Sequence, residues 1–509
     1  MTLLLALLAG QVLSMASLGA LHPVGVAPWR WQARGWALHG GLFLALQALL
    51  TLVLGRPWFA LALALALLML VIQVSNAKYQ ALREIFVFQD FEYFTDAIRH
   101  PRLYIPFLGW WKFALIACCV LAALAVGLWL EPAARGGVSG PALGALVGAG
   151  LLIYTASGKK ATQPPPSWQP EVDLARVGLL ASLWDYAWAE RQPLAPAPHW
   201  CTAQPFAGQP NPPDLVVIQS ESFFDPRTLY PGIRPEVLAG FDACCAQARQ
   251  SGRLDVPAWG ANTVRSEFAF LSGLPEAALG VHRFNPYRWL ARQTGKAEGQ
   301  SHFPNLVSAL KAAGYRTICI HPYPASFYQR DRVFPLLGFD RFIDLAELGE
   351  APRSGPYVGD LALLPVIRQV LAESPQPALI FVITMENHGP LHLEQVAPGD
   401  EDALYQTPPA PGCADLTIYL RHLRNASQFA GDLTAALATH PRPARLAWYG
   451  DHVPIMPQVY QTYGLPPART DYFVWDNPLV QKAWGGKTEG RVDLAVEQLG
   501  KALWALGGE

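Results

Sequence analysis

At 509 residues the chain is too long for one compact core, so two or more domains are expected. A formal net charge of −1 excludes the bulk attraction for nucleic acid that a strongly basic chain would have. Seven cysteines form no CxxC pair, so no cysteine-based metal site is visible.

Hydrophobic residues make up 51% of the chain and concentrate in its first third. Five apolar runs there, residues 3–21, 36–54, 58–74, 105–130 and 141–156, approach or reach the ~20 residues that span a bilayer. The first has the length of a signal peptide. No Lys or Arg precedes Arg30, however, so the basic leader region is missing and a retained helix is expected. The second and third runs are split only by Arg56-Pro57, a tight turn. Residues 75–90 mix aromatic and charged side chains, Asn76, Lys78 and Asp90 among them, as an amphipathic helix at the membrane surface would, but a plain connector at the membrane surface is the favoured reading. Residues 1–160 are therefore read as an α-helical membrane bundle of about five spans. A linker, 161–204, follows the stiff Pro164-Pro165-Pro166. It holds one helical pattern over 172–190, with Leu174, Val177, Leu180, Leu183 and Trp184 on one side, and closes with the prolines of 193–198.

From 205 to 509 the pattern changes to short continuous apolar runs alternating with helices. This predicts an α/β domain with a mainly parallel sheet covered on both faces. Ligands bind such sheets at the carboxyl ends of the strands. Here Leu215-Val216-Val217-Ile218 leads to Glu221, Thr317-Ile318-Cys319-Ile320 to His321, Leu379–Ile383 to His388, and Leu446–Gly450 to Asp451 and His452. A single polar residue after a strand is usually an ordinary loop residue. Four strands with the same outcome point to a site. Carboxylates with an imidazole suit a divalent ion such as Mn²⁺, Mg²⁺ or Zn²⁺.

Between the first two of these strands lies Trp259-Gly260-Ala261-Asn262-Thr263, followed by an apolar run to Leu274. Asn262 reads as a helix cap and Thr263 as a residue of the first helical turn, where backbone N–H groups favour a phosphoryl oxygen. A Thr hydroxyl needs a base or metal to become a nucleophile. The strand-end residues supply that metal site. Ser266, one turn on, is the alternative nucleophile.

Glu221 within Ile-Gln-Ser-Glu-Ser-Phe, Thr263 within Asn-Thr-Val-Arg-Ser-Glu-Phe, Ser326-Phe327-Tyr328-Gln329-Arg330-Asp331, Glu386-Asn387-His388-Gly389-Pro390 and Tyr449-Gly450-Asp451-His452-Val453-Pro454 occur in that order. As a set they resemble the lipoteichoic acid synthase-like phosphoglycerol transferases of the alkaline phosphatase–sulfatase superfamily, over about 215–478, and the membrane region resembles that family too. The resemblance implies that Glu221, Thr263, Asp451 and His452 hold one divalent metal ion, Mn²⁺ before Mg²⁺ or Zn²⁺, with Thr263 as nucleophile. It implies that Arg330 and His388 hold the phosphoglycerol group and that His321 is a further site histidine. Tyr328 stands where those enzymes carry Trp, so an aromatic wall survives. Thr263-Val264-Arg265 lacks the Cys/Ser-x-Pro-x-Arg setting of true sulfatases. Phosphoethanolamine transferases share the fold and the Thr nucleophile, but their His-rich second metal pattern is not evident.

The resemblance implies transfer of phosphoglycerol from a phosphatidylglycerol-like membrane phospholipid to a glycan or glycolipid hydroxyl, with no nucleic acid partner. The alternatives are a metal-dependent phosphodiesterase or sulfatase-like hydrolase, a phosphoethanolamine transferase, and a non-catalytic membrane sensor with a dead site. The family's catalytic domain lies outside the inner (plasma) membrane, on the periplasmic or extracytoplasmic side. The Lys and Arg residues of the short loops point the other way, because Arg30, Arg34, Lys78, Arg83, Arg99 and Arg102 would share the catalytic domain's side.

Overall fold

The computed structural model describes residues 1–22, 28–92, 110–134, 137–157, 165–192, 206, 209, 211–292, 303–485 and 489–504. The expectations for Arg99, Arg102, Pro164 and the prolines of 193–198 lie outside these residues. The chain divides into two compact units, Met1–Pro193 and Leu194–Glu509.

In the first unit four helices among the described residues are long and apolar enough to cross a membrane: Thr2–Ala20, Ala33–Leu54, Pro57–Leu82 and Ser139–Ser157. The run at 105–130 forms the helix Trp110–Leu130. Within it Leu121–Leu130 counts as a shorter apolar helix among the residues searched. Leu18, Trp31, Phe43, Leu61, Leu68 and Ile72 form a common buried cluster. Residues 75–90 form no separate α-helix at the surface, in keeping with the connector expected there. The third helix runs on to Leu82 and stops at Arg83, whose φ of 57° is left-handed. The reason is polar bonding at the helix end. The Asn76 side chain accepts from His22 N–H at 2.9 Å and donates to the Ala20 carbonyl at 2.8 Å. Lys78 Nζ donates to Asp90 Oδ2 at 2.8 Å, which ties the connector back onto the helix.

The single helix expected over 172–190 is two, Pro170–Val177 and Leu179–Ala189. They break at Gly178, with φ 83° and ψ 170°. A Cβ there would stand 2.3 Å from the Trp31 ring, so only glycine fits both the backbone and the packing. Arg34 then joins this pair to the bundle, donating from Nη1 to Asp185 Oδ2 at 2.6 Å and from Nε to the Ala156 carbonyl at 2.9 Å.

The second unit is built on a mostly parallel mixed sheet. Its strands are β1 (Asp214–Ser220), β2 (Gln250–Asp255), β3 (Arg316–Ile320), β4 (Arg341–Ile343), the small hairpin β5 and β6 (Arg353–Ser354, Tyr357–Val358), β7 (Ala378–Ile383), β8 (Ala444–Gly450), β9 (Arg469–Asp476), β10 (Gly490–Arg491) and β11 (Leu494–Ala495). The main order is β10-β2-β9-β8-β1-β7-β3-β4, with β11 also on β2 and the hairpin apart. β8, β1, β7, β3 and β4 run parallel to their neighbours, and β9 is antiparallel to both β8 and β2. Alternation sorts β1 onto two cores. Val216 and Ile218 join the cluster containing Leu420, Leu423 and Phe429 of the helix Ala414–Ala438. Leu215 and Val217 join the cluster containing Val264, Phe268 and Leu271 of the helix Thr263–Ser272. A strand buried on both faces is apolar at every position, which is why it reads as a continuous run. Each such buried aliphatic side chain contributes roughly 1.5–3 kcal/mol.

Gly178→Ala is expected to lower the melting midpoint of the detergent-purified protein, because a side chain must enter the Trp31 ring space at a cost of about 1–3 kcal/mol. Gly144→Ala, where a Cβ meets nothing within 4 Å, is expected to leave it unchanged or higher. Thermal unfolding followed by tryptophan fluorescence compares the two.

Candidate active site

The parallel register brings four strand ends side by side. Ser220 of β1 is level with Gly450 of β8, and Gln219 with Ile383 of β7. Ile320 of β3 is level with Val382. Glu221 and Asp451 are thus the first residues beyond two neighbouring strands, and His321 the first beyond β3. The approach of β1 and β8 depends on Gly450, where a Cβ would fall 1.9 Å from the Phe223 carbonyl oxygen.

Glu221, Asp451 and His452 are buried, and each offers a ligand atom within 4.8 Å of the others. Asp451 Oδ1 accepts the backbone N–H of Ser222 at 2.8 Å and of His452 at 2.9 Å. Its other oxygen, Oδ2, is buried without a hydrogen-bond partner. Ser222, with φ 51°, donates its hydroxyl to Glu221 Oε1 at 2.8 Å. His452 Nδ1 donates to the Val453 carbonyl at 3.0 Å, which leaves Nε2 as the lone-pair nitrogen. That nitrogen lies 3.5 Å from Glu221 Oε1 and 3.4 Å from Asp451 Oδ2. A lone pair and two carboxylates converging in a buried space repel unless a positive charge lies between them. Without a cation, protons take that place: the Asp451 carboxyl is pushed up to about 7, first by burial and then by the Glu221 charge. Burial would lower the His452 pKa, yet Asp451 and Glu221 together raise it. The unpartnered Oδ2, the bare Nε2 and the two acids fit a divalent cation.

Thr263 opens the helix Thr263–Ser272, every residue of which is buried. Its hydroxyl lies close enough to the Asp451 carboxylate to favour the charged form. Ser266, the alternative nucleophile, donates its hydroxyl to the Asp451 carbonyl at 2.6 Å and serves to fasten the helix to the strand end. Asn262 departs from its expected role. It has φ 67° and ψ 44° and makes no side-chain cap bond, so it turns the chain into the helix through a left-handed backbone.

A second group stands beside the first. Arg330 is 1% exposed. It donates from Nε to Glu267 Oε1 at 3.1 Å, from Nη2 to Glu267 Oε2 at 2.8 Å, and from Nη1 to His321 Nε2 at 3.1 Å. The two terminal nitrogens each keep one N–H for a ligand. Glu267 also accepts from the Tyr287 hydroxyl and from Gln219 Nε2. Breaking such a buried pair by removing one partner costs about 3–5 kcal/mol. His321 Nδ1 donates to the Ile383 carbonyl at 3.0 Å. Burial, and then the Arg330 charge, hold His321 neutral well below the usual histidine range. The Tyr328 ring faces the guanidinium, 5.3 Å from its centroid. Tyr328 and Gln329 have φ of 54° and 56°, two left-handed residues in succession ahead of the helix Arg330–Leu337. His388 is half-buried, with Nδ1 2.6 Å from the Gly389 carbonyl, so Nε2 is its free nitrogen.

Glu267 is the residue that the sequence reading left without a role. The signal for it was present: Glu267 follows Thr263 by four residues and so lies on the same helical face. Through it the helix Thr263–Ser272 holds Arg330.

A mostly parallel sheet whose strand ends gather two acids and an imidazole beside a Thr hydroxyl has the donor set to hold a divalent cation next to that hydroxyl. Residues 213–501 match the family model described as Sulfatase, more than half of the chain, and the chain belongs to that family. It is 28% identical over 455 residues to the Capsular polysaccharide biosynthesis protein RkpI of Rhizobium meliloti (strain 1021), which covers 82% of this chain and 77% of that one. Its fold is similar to that of the integral membrane protein lipooligosaccharide phosphoethanolamine transferase A (EptA) of Neisseria meningitidis, with a TM-score of 0.58, 15% identity, and coverage of 99% of this chain and 94% of that one. It is also similar to the Streptococcus pyogenes phosphoglycerol transferase GacH in complex with sn-glycerol-1-phosphate, with a TM-score of 0.45, 20% identity, and coverage of 57% and 73%.

Asp451→Ala and His452→Ala are each expected to lose bound divalent metal, whereas His388→Ala keeps it. Metal analysis of the purified variants checks this. Equal loss from all three would make His388 a ligand.

Proposed function

We propose that the protein is a membrane-bound, metal-dependent phosphoglycerol transferase, moving a phosphoglycerol group from a phosphatidylglycerol-like lipid to a glycan or glycolipid hydroxyl. The observation that carries this reading is Thr263 at the head of a wholly buried helix, beside Asp451 in a cluster of three metal-competent groups. Glu221, Asp451 and His452, with the Thr263 oxygen, would hold the cation. A divalent ion such as Mn²⁺ supplies positive charge that favours the Thr263 alkoxide and draws electron density from a phosphoryl oxygen.

The chain's own residues account for the rest. The Thr263 oxygen attacks phosphorus, the Thr proton is lost, and the bond to the diacylglycerol oxygen breaks, that oxygen taking up a proton. The phospho-Thr263 ester is then attacked by the acceptor hydroxyl, which loses its proton while Thr263 regains one. Arg330, fixed by Glu267, presents its remaining N–H groups to the phosphate, with a geometry Lys cannot reproduce. Neutral His321 and the free Nε2 of His388 add hydrogen bonds, and the Tyr328 ring walls the headgroup. The relative named for capsular polysaccharide biosynthesis supports a glycan acceptor. The apolar helices of the first unit support a membrane location, where the lipid is. Glycan acceptors favour the periplasmic or extracytoplasmic face. The basic residues of the connector then serve anionic headgroups rather than orientation.

Intact protein incubated with phosphatidylglycerol is expected to gain one phosphoglycerol group on Thr263, seen by peptide mass spectrometry, and Thr263→Ala to gain none. An adduct from phosphatidylethanolamine instead would assign the other headgroup, and release of free glycerol phosphate without added glycan would assign hydrolysis.

In whole cells a phosphatase reporter fused after Glu509 is expected to be active and a β-galactosidase reporter silent. The reverse result places the domain in the cytoplasm and removes the glycan acceptor.

A further inference from the structure

The helix Ala414–Ala438 packs on the sheet face opposite the helix of Thr263, and it buries His422 completely. His422 Nδ1 lies 3.2 Å from Glu386 Oε1, and Nε2 lies 3.1 Å from both oxygens of Glu394. Neutral imidazole has one N–H and one lone pair, so it can satisfy only one of these carboxylates. The imidazolium, a donor at both nitrogens, satisfies both. Burial alone would strip the proton, but hydrogen bonds and charge from Glu386 and Glu394 outweigh it, and the His422 pKa rises to about 9. Burial would raise the two carboxyls, and His422 holds both below their usual range.

The two glutamates are the ends of one segment. Residue 386 leaves β7, residue 388 is the half-buried histidine of the site, and residue 394 returns to His422. The anchorage extends to every neighbouring element. Asn425 Nδ2 donates to Glu386 Oε1 at 2.6 Å, and Asp360 N–H to Glu386 Oε2 at 2.8 Å. The Asp360 carboxyl is itself raised well above its usual range, first by burial and then by the Glu386 charge. Arg421 donates to Glu394 Oε2 at 2.9 Å and to Asp400 at 3.1 Å. On the hairpin, Ser354 Oγ stands 3.3 Å from His422 Nδ1, and the Tyr357 hydroxyl donates to the Gly389 carbonyl at 3.1 Å. None of these residues belongs to the metal-competent cluster.

We propose that His422 is a positioning residue, an imidazolium that fastens both ends of the segment 386–394 and thereby fixes His388 against the phosphate-bearing donor. The proposal rests on the role given to His388 above. Its sign with pH follows from the direction of the shift. The folded pKa of about 9 lies above the ordinary 6.5, so the clamp is complete below 6.5, weakens above it, and is lost as pH rises through about 9.

The test uses the full chain in detergent, as wild type, His422→Gln and Glu394→Gln, with two independent readouts. At fixed neutral pH, amide hydrogen exchange in 386–394 is expected to speed up roughly tenfold in His422→Gln, while β1 and β8 stay protected and metal content is unchanged. For phosphatidylglycerol, KM is expected to rise roughly tenfold with kcat within about threefold. In wild type KM should climb above about pH 9, and Glu394→Gln should move that inflection down by about one unit, because one of the two carboxylates that favour the proton is gone. Unchanged exchange in 386–394 overturns the proposal. So does an inflection that Glu394→Gln does not move, or loss of protection throughout the domain, which would make His422 a general core residue. If His422→Gln fails to fold, Glu394→Gln alone carries both readouts. If wild type turns over no lipid donor, the functional reading falls, and the exchange comparison still decides the clamp.

Discussion

Two acids that repel each other occupy neighbouring strand ends, and the rest of the second unit is arranged to keep them there. Like charges about 4 Å apart repel by roughly 4 kcal/mol at the effective dielectric of a protein surface. Water could disperse that charge, but Glu221 and Asp451 are buried. The register of β1 against β8 sets their spacing, Gly450 admits the Phe223 carbonyl, and two backbone N–H groups hold Asp451 through one oxygen only. The other oxygen and His452 Nε2 are aimed at the same space. The sheet therefore spends hydrophobic burial on both faces to hold an electrostatic arrangement that is unfavourable until a cation joins it.

Backbone strain is partly gathered at the same place: of the seven non-glycine residues with left-handed φ among the described residues, Arg83, Trp168 and Phe206 lie elsewhere. Ser222, Asn262, Tyr328 and Gln329 are non-glycine residues with left-handed φ, and all four lie in the segments around the site. Each costs on the order of 1–3 kcal/mol, which persists only where neighbouring contacts over-determine the conformation. Here they do. Ser222 is fixed by its bonds to Asp451 and Glu221, Asn262 by the buried helix it starts, and the Tyr328-Gln329 pair by Arg330 reaching Glu267.

What the sequence made legible divides along physical lines. β1, β3, β7 and β8 are buried on both faces, so each reads as an uninterrupted apolar run ending in a polar residue, and the strand-end residues could be placed from that alone. β2, Gln250–Asp255, is half-exposed and carries polar residues at most positions, so nothing in its composition marks a strand. Gly178 was hidden for the opposite reason: the apolar spacing continues across it, and only the Trp31 ring, far away in sequence, explains the break. Asn262 was read as a cap because Asn favours that place, and the same residue type also tolerates the left-handed backbone it adopts. The partner of Arg330 could have been guessed from the four-residue spacing of Thr263 and Glu267. His422 could not, since it sits mid-helix and both of its carboxylates come from another segment.

The pairing of Arg330 with Glu267 has a further consequence for how a charged donor arrives. A guanidinium bound through two hydrogen bonds to a carboxylate presents a dipole, whose field fades over a few ångströms, rather than a free positive charge. With a formal charge of −1 over the whole chain, there is little long-range field to gather anionic lipid from a distance. For the proposed lipid donor, capture would then depend on encounter by lateral diffusion in the bilayer, a two-dimensional search for which the apolar helices of the first unit would supply the residence time. Under the proposed function the site would recognise phosphate at contact range, by the placement of its N–H groups, and would be insensitive to the ionic strength that weakens attraction through water.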